Sequence, residues 1–217
     1  MNNSNDIIQH TDSIIVSPYN SRVEYVFQNG KIYYHKTLKK NLRFPFNFGV
    51  IPNALGPDKK ILKNIIYFKE MIPQWTYINT KIIGAIKFQD DKNIYHEKII
   101  SVPFDHPEEN IIDLEHCCLE EIKLFIIQYY KVDGIKIKFD RFVDKTEGEK
   151  MYSYACSRYN VKKAFENREL EKNEKKNLFK QFSNFFKKNK RNRNSIISDN
   201  SSDSSNENNS IANSPPN

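Results

Sequence analysis

The sequence predicts an α+β domain in which strands lead, with a basic amphipathic helix and a polar tail appended at its C-terminal end. Three observations predict it. Short β-type runs divided by turn signals fill residues 13–104. A helical period takes over after Pro107, and charge is unevenly spread along the 217 residues. Hydrophobic residues are 38% of the chain, yet 15 Phe and 12 Tyr supply large side chains for one buried core.

Taken in order, residues 1–12 are polar, lack the basic and then apolar segments of a leader, and are expected to be flexible. Ile14–Val16, Val23–Phe27, Lys31–His35, Ile65–Phe68, Lys81–Lys87 and Lys98–Val102 read as strands, rich in β-branched and aromatic residues. The second and third form the clearest hairpin, because Gln28-Asn29-Gly30 accommodates the positive φ that tight turns demand. Leu114, Leu119, Ile122, Ile126 and Tyr129 or Tyr130 then share one side of a helix, and Ile135–Phe139 returns to strand alternation.

Charge separates the body of the chain from its end. Residues 1–160 carry 22 basic and 20 acidic side chains, residues 161–193 carry 12 and 4, and residues 194–217 carry none and 3. Between Val161 and Lys190 there is no Pro or Gly, and Leu178, Phe179, Phe182, Phe185 and Phe186 recur at helical spacing against a lysine face. Such a helix either packs its Phe face on its own domain or docks on an anionic membrane, a nucleic acid or a partner groove. Residues 194–217, mostly Ser, Asn, Asp and Pro, cannot bury enough apolar area to offset ordering entropy and are expected to be disordered.

Several function classes are excluded. The six glycines stand singly, so no dinucleotide fingerprint or Walker-type phosphate loop can be written. No apolar run approaches the roughly 18 residues of a spanning helix, which predicts a soluble, cytoplasmic protein. Cys117, Cys118 and Cys156 lack zinc spacing and read as reduced thiols, and the five histidines show no metal-ligand spacing. From the residues alone the candidate sites are Asp90 with Asp91, the lysines 59, 60 and 63, and Tyr130 with Lys131, none of which nominates a reaction.

The order of longer motifs is more specific. The segment Arg43-Phe-Pro-Phe-Asn-Phe-Gly-Val-Ile-Pro-Asn-Ala-Leu55 is followed by Gly84-Ala-Ile-Lys-Phe-Gln-Asp-Asp91, then Glu97-Lys-Ile-Ile-Ser-Val-Pro103, then Phe125-Ile-Ile-Gln-Tyr-Tyr-Lys131. This series resembles the soluble (type I) inorganic pyrophosphatases over roughly residues 13–145. The resemblance implies a domain over 13–160 built as a five-stranded, OB-like distorted β-barrel with flanking helices. It implies Mg²⁺ held by carboxylates, diphosphate or phosphate as the bound anion, and self-association, since homo-oligomers are common in that family.

Carried over residue by residue, the resemblance assigns Asp58, Asp90, Asp91 and Glu97 to metal binding, with Asp58 and Asp90 as the catalytic carboxylates. It assigns Lys36, Lys60, Lys63, Lys98, Tyr130 and Lys131 to phosphate. The departures are informative. The family's three core aspartates at i, i+2 and i+5 become Asp58, Lys60 and Lys63. Val16 and Val26 stand at its early glutamates, Glu24 at a lysine, Phe48 at a tyrosine and Lys36 at an arginine. One extra residue in the second acidic loop leaves Tyr95, His96 or Glu97 at the next aspartate. Ammonium groups coordinate no cation, and at an effective dielectric of 20 each like-charge contact costs about 4 kcal/mol.

Three readings follow. One is a divergent hydrolase. The second is a non-hydrolytic member of the family in which Lys60, Lys63, Lys98 and Lys131 hold an anion without metal. The third is a barrel scaffold whose function lies in the helix over 161–193 and the tail.

Overall fold

The computed structural model describes residues 10–28 and 30–199, so the stretch expected to be flexible up to residue 9 and the polar tail from residue 200 lie outside the described residues. The elements are β1 (His10–Ser17), β2 (Val23–Gln28), β3 (Lys31–Thr37), β4 (Asn47–Leu55), β5 (Ile61–Ile66), β6 (Tyr77–Asp90), β7 (Tyr95–Pro103), α1 (His116–Val132), β8 (Ile137–Val143) and α2 (Lys145–Asp199).

Six strands form one sheet in the order β1-β4-β5-β7-β6-β8, while β2 and β3 form a separate hairpin. Only the β5–β7 pairing is parallel. With 14 residues, β6 pairs with β1 through its first part and with β8 through its last part, along the edge opposite β7. The pairings therefore run round through β1, β4, β5, β7 and β6 back to β1.

Local chemistry explains where the elements depart from expectation. β1 begins at His10, four residues before the expected Ile14, because Thr11 is fully buried and its hydroxyl lies 2.7 Å from that of Thr80. β4 was not anticipated as a strand, since Gly49 and Pro52 hide its pattern. Gly49 is closely packed there: a Cβ would sit 3.1 Å from the Ile14 carbonyl oxygen, tighter than ordinary contact. β5 starts at Ile61, ahead of the expected Ile65. In the β2–β3 hairpin Gln28 pairs with Lys31 and Gly30 has φ +73°, as the turn chemistry requires.

One core lies beneath α1, whose buried residues Cys118, Ile122, Phe125 and Ile126 follow helical spacing. Phe44, Phe48 and Phe125 meet there with ring centroids 4.9–5.3 Å apart, contacts worth about 0.5–1.5 kcal/mol each beyond area burial. A second cluster packs Met151 and Ala155 of α2 on Ile51, Leu62, Ile82 and Ile99. Asn47, fully buried, holds the loops together. Its Oδ1 accepts from the amides of Tyr19 and Ile72, and its Nδ2 donates to the carbonyls of Phe68 and Glu70.

α2 runs unbroken from Lys145, so the helix expected over 161–190 is the later part of a longer one, and residues 194–199 are helical rather than tail. The chain divides into compact units after Lys163. The second unit begins at Ala164, and within it Phe165, Leu170, Leu178, Phe179 and Phe182 are exposed. Phe185 and Phe186 fall where only the backbone is described. Among the described residues no helix is long and apolar enough to cross a membrane.

Candidate functional site

Strand pairing assembles a cluster of opposite charges. The parallel β5–β7 ladder sets Lys63 beside Lys98. Side chains alternate along a strand, so His96 and Lys98 share one face of β7 and Glu97 lies on the other. In the hairpin a bulge after Glu24 leaves that residue opposite Lys36, and the last turn of α1 contributes Tyr129 and Tyr130.

Glu24 is the hub of one half. Its side chain is 4% exposed, accepts from Lys63 Nζ at 3.3 Å and from the Tyr129 hydroxyl, and lies 3.7 Å from Lys36 Nζ. Lys36 is also paired with Asp133 and sits 4.7 Å from the Tyr129 ring centroid. Burial, and then the Glu24 charge, push the Tyr129 hydroxyl well above its ordinary pKa, so it stays a donor. Burial pulls the Lys63 ammonium down, as does the charge of Lys98, against the pull of Glu24.

His96 is the hub of the other half. Its Nε2 lies 3.0 Å from Asp90 Oδ2 and its Nδ1 lies 3.4 Å from Asp58 Oδ2. The ring stacks on Phe88 at 5.2 Å with 16° between planes, and Tyr130 stands 5.6 Å away. Both carboxylates are also held by backbone. Asp58 Oδ1 accepts from the Lys60 amide at 3.1 Å, and Asp90 Oδ1 accepts from the amides of Lys92 and Ile94, each at 2.9 Å. Burial raises the pKa of Asp58 and Asp90, but the His96 hydrogen bond and these amides outweigh it, so both lie below the ordinary carboxylate value.

Lys98 stands between the halves. It is 5% exposed, with Nζ 5.5 Å from the Phe88 ring centroid and 5.8 Å from that of Tyr130. Among the described residues no hydrogen bond or ion pair reaches its nitrogen. Burial pulls its pKa down to about 8, Asp58 and Glu24 oppose this from a distance, and Lys60 adds to it.

The structure thus brings together Asp58, Asp90, Lys36, Lys60, Lys63, Lys98 and Tyr130, with Lys60 exposed at the edge of the cluster. It does not bring the others. Asp91 is exposed and accepts from the Lys136 amide at 3.4 Å. Glu97 pairs with Arg158 of α2 at 3.5 Å. Lys131 is exposed in the last turn of α1. Three contributors were missed or left open: Tyr129, Glu24 as a partner of the lysines, and His96. Period-two alternation from Lys98 was the signal that selects His96 over Tyr95 and Glu97.

No three of Asp58, Asp90, Asp91 and Glu97 offer ligand atoms within 4.8 Å of one another; among the described residues only Glu115, Cys117 and Cys118 do. Of these four carboxylates only Asp58 and Asp90 face one cluster, so an oxygen-seeking ion such as Mg²⁺ would find two of them there, each already facing a nitrogen of His96. A separate cleft of about 610 Å³, lined by Leu42, Phe44, Leu124 and Phe125 among others, contains none of the charged cluster.

Residues 15–160 match the family model described as inorganic pyrophosphatase. The chain is similar to the inorganic pyrophosphatase of Nanoarchaeum equitans, with 29% identity over 154 residues, 68% of this chain and 96% of that protein. It is 28% identical to that of Corynebacterium glutamicum over 149 residues, 65% of this chain and 93% of the relative. Its fold resembles the solved inorganic pyrophosphatase of Helicobacter pylori with a TM-score of 0.66 at 22% identity, covering 74% of this chain and 98% of that one.

Proposed function

Since the chain belongs to the inorganic pyrophosphatase family, we propose that it binds diphosphate or inorganic phosphate through Lys98, Lys60, Lys63, Lys36 and Tyr130, and does so without metal-driven hydrolysis. The observation that carries this reading is Lys98. A buried ammonium group without a carboxylate within ion-pair distance is costly, and a phosphate oxygen is the partner that relieves the cost, through a short charge-assisted hydrogen bond. Lys60 adds positive charge at the edge, and Tyr130 offers a hydroxyl whose pKa burial keeps above its ordinary value. In this reading the ring of five strands is the OB-like barrel, and its mouth holds the cluster.

Mg²⁺ is the cofactor the family implies. Here the oxygens of Asp58 and Asp90 already accept hydrogen bonds or face an imidazole nitrogen, and Lys60 and Lys63 follow Asp58 at the second and fifth positions. Self-association is a further expected partner, and so is an anionic membrane or nucleic acid contacted through residues 161–193; high salt would weaken the latter contact and spare a buried pocket. The three free cysteines suit the reducing cytoplasm.

The test is phosphate release from diphosphate with excess Mg²⁺ or Mn²⁺, beside an Asp58→Ala control, with calorimetric titration of phosphate. We expect no turnover in either protein, and phosphate affinity that falls about tenfold or more in Lys98→Met, the scale of one lost charged hydrogen bond. Turnover in the wild type that vanishes in Asp58→Ala would overturn the reading in favour of a divergent hydrolase.

A further inference from the structure

We infer that the His96 imidazole holds, between Asp58 and Asp90, the place a divalent cation would take, and that this one side chain keeps the site closed to such ions. This deepens the reading of the same site. Of Tyr95, His96 and Glu97, which spacing left open at the next aspartate, it is His96 that faces Asp58 and Asp90.

Three features carry it. The first is the bridging position: one ring nitrogen faces each carboxylate, at 3.0 and 3.4 Å. The ring thus fills the space between the two carboxylates and occupies the point on which both converge. The second is fixation. His96 is 8% exposed, its ring is stacked on Phe88 and flanked by Tyr130, and β7 alternation leaves it no other face to turn to. The third is prior engagement of the carboxylates. The remaining oxygen of Asp58 accepts from one backbone amide and that of Asp90 from two. A metal ion entering here would have to displace the ring and would meet the charges of Lys60 and Lys98, both of which act on this pocket.

Removing the ring should therefore open a gap between two carboxylates that a divalent ion can fill. The experiment titrates Mn²⁺ into the full-length chain and follows free ion by electron paramagnetic resonance, with melting temperature as a second readout and no phosphate present. The wild type is expected to show no Mn²⁺ site that depends on Asp58. His96→Asp is expected to gain about tenfold or more in affinity, the scale of one added charged contact. His96→Gln serves if the aspartate variant does not fold: its melting temperature should fall, and Mn²⁺ but not KCl of equal ionic strength should restore it.

Mn²⁺ binding by the wild type that is lost in Asp58→Asn overturns the inference, because the imidazole would then not exclude the ion. So does a folded His96→Asp, or a folded His96→Gln, that shows no response to Mn²⁺. As no anion takes part, failure of phosphate binding leaves this result standing, and a negative result here leaves the anion reading standing.

Discussion

A single ammonium group shows how burial is used at this site. Lys98 has a folded pKa of about 8, below the ordinary 10.5, because water is excluded around it. Below about pH 8 the group is charged in both folded and unfolded chains, and its burial weakens the fold in full. Between about 8 and 10.5 the folded chain has lost the proton that the unfolded chain still binds, so stability rises with pH across that window. Anion binding moves the other way. Phosphate affinity is expected to decline as pH is raised through about 8, while urea unfolding shows increasing stability over the same range. In Lys98→Met the rise in stability across this window should be absent, which paired pH series of the two proteins would check. At the other hub, Glu24 illustrates the opposite solution: a buried carboxylate is tolerated because Lys63, Lys36 and Tyr129 surround it.

Among the elements, β6 and α2 meet through glycines. A Cβ on Gly84 would lie 2.5 Å from the Val143 carbonyl oxygen and 2.9 Å from the Ile111 Cβ, and one on Gly148 would lie 3.0 Å from the Gly84 carbonyl. The helix can therefore reach the sheet closely enough to bury Met151 and Ala155. Gly84→Ala is expected to destabilise the fold by about 1–3 kcal/mol through overpacking, seen as a lower urea midpoint at unchanged slope. An unchanged midpoint would mean that Val143 and Ile111 can give way without loss. The same docking turns Arg158 toward the Leu55 carbonyl, to which its Nε donates at 2.7 Å, and toward Glu97. Arg158 thus pairs with Glu97 on the face of β7 opposite Lys98.

At the scale of the whole molecule, the packed core and the charged cluster both lie before residue 164, while side chains described from Ala164 to Asn184 are exposed apart from a half-buried Ser183. A chain ending at Lys163 should therefore keep its unfolding transition and its phosphate affinity; loss of either would tie the later helix to the core or the site. Much of this was legible in the sequence, because the relevant signals are local. The hairpin at Gly30, the helix bearing Leu119, Ile122 and Ile126, though not Leu114, which lies ahead of it in extended backbone, and the strands from Ser13 onward follow from turn chemistry and from periods of two and 3.6 residues. The spaced motifs sufficed for the family. By itself the sequence also determined that lysines follow Asp58 at the second and fifth positions, since that needs only residue identity. What only the tertiary structure decided was partnership. Tyr129 meets Glu24 across 105 positions, and His96 lies between Asp58 and Asp90. Charge pairing in a water-poor interior depends on distances between residues far apart in the chain, which no local period encodes.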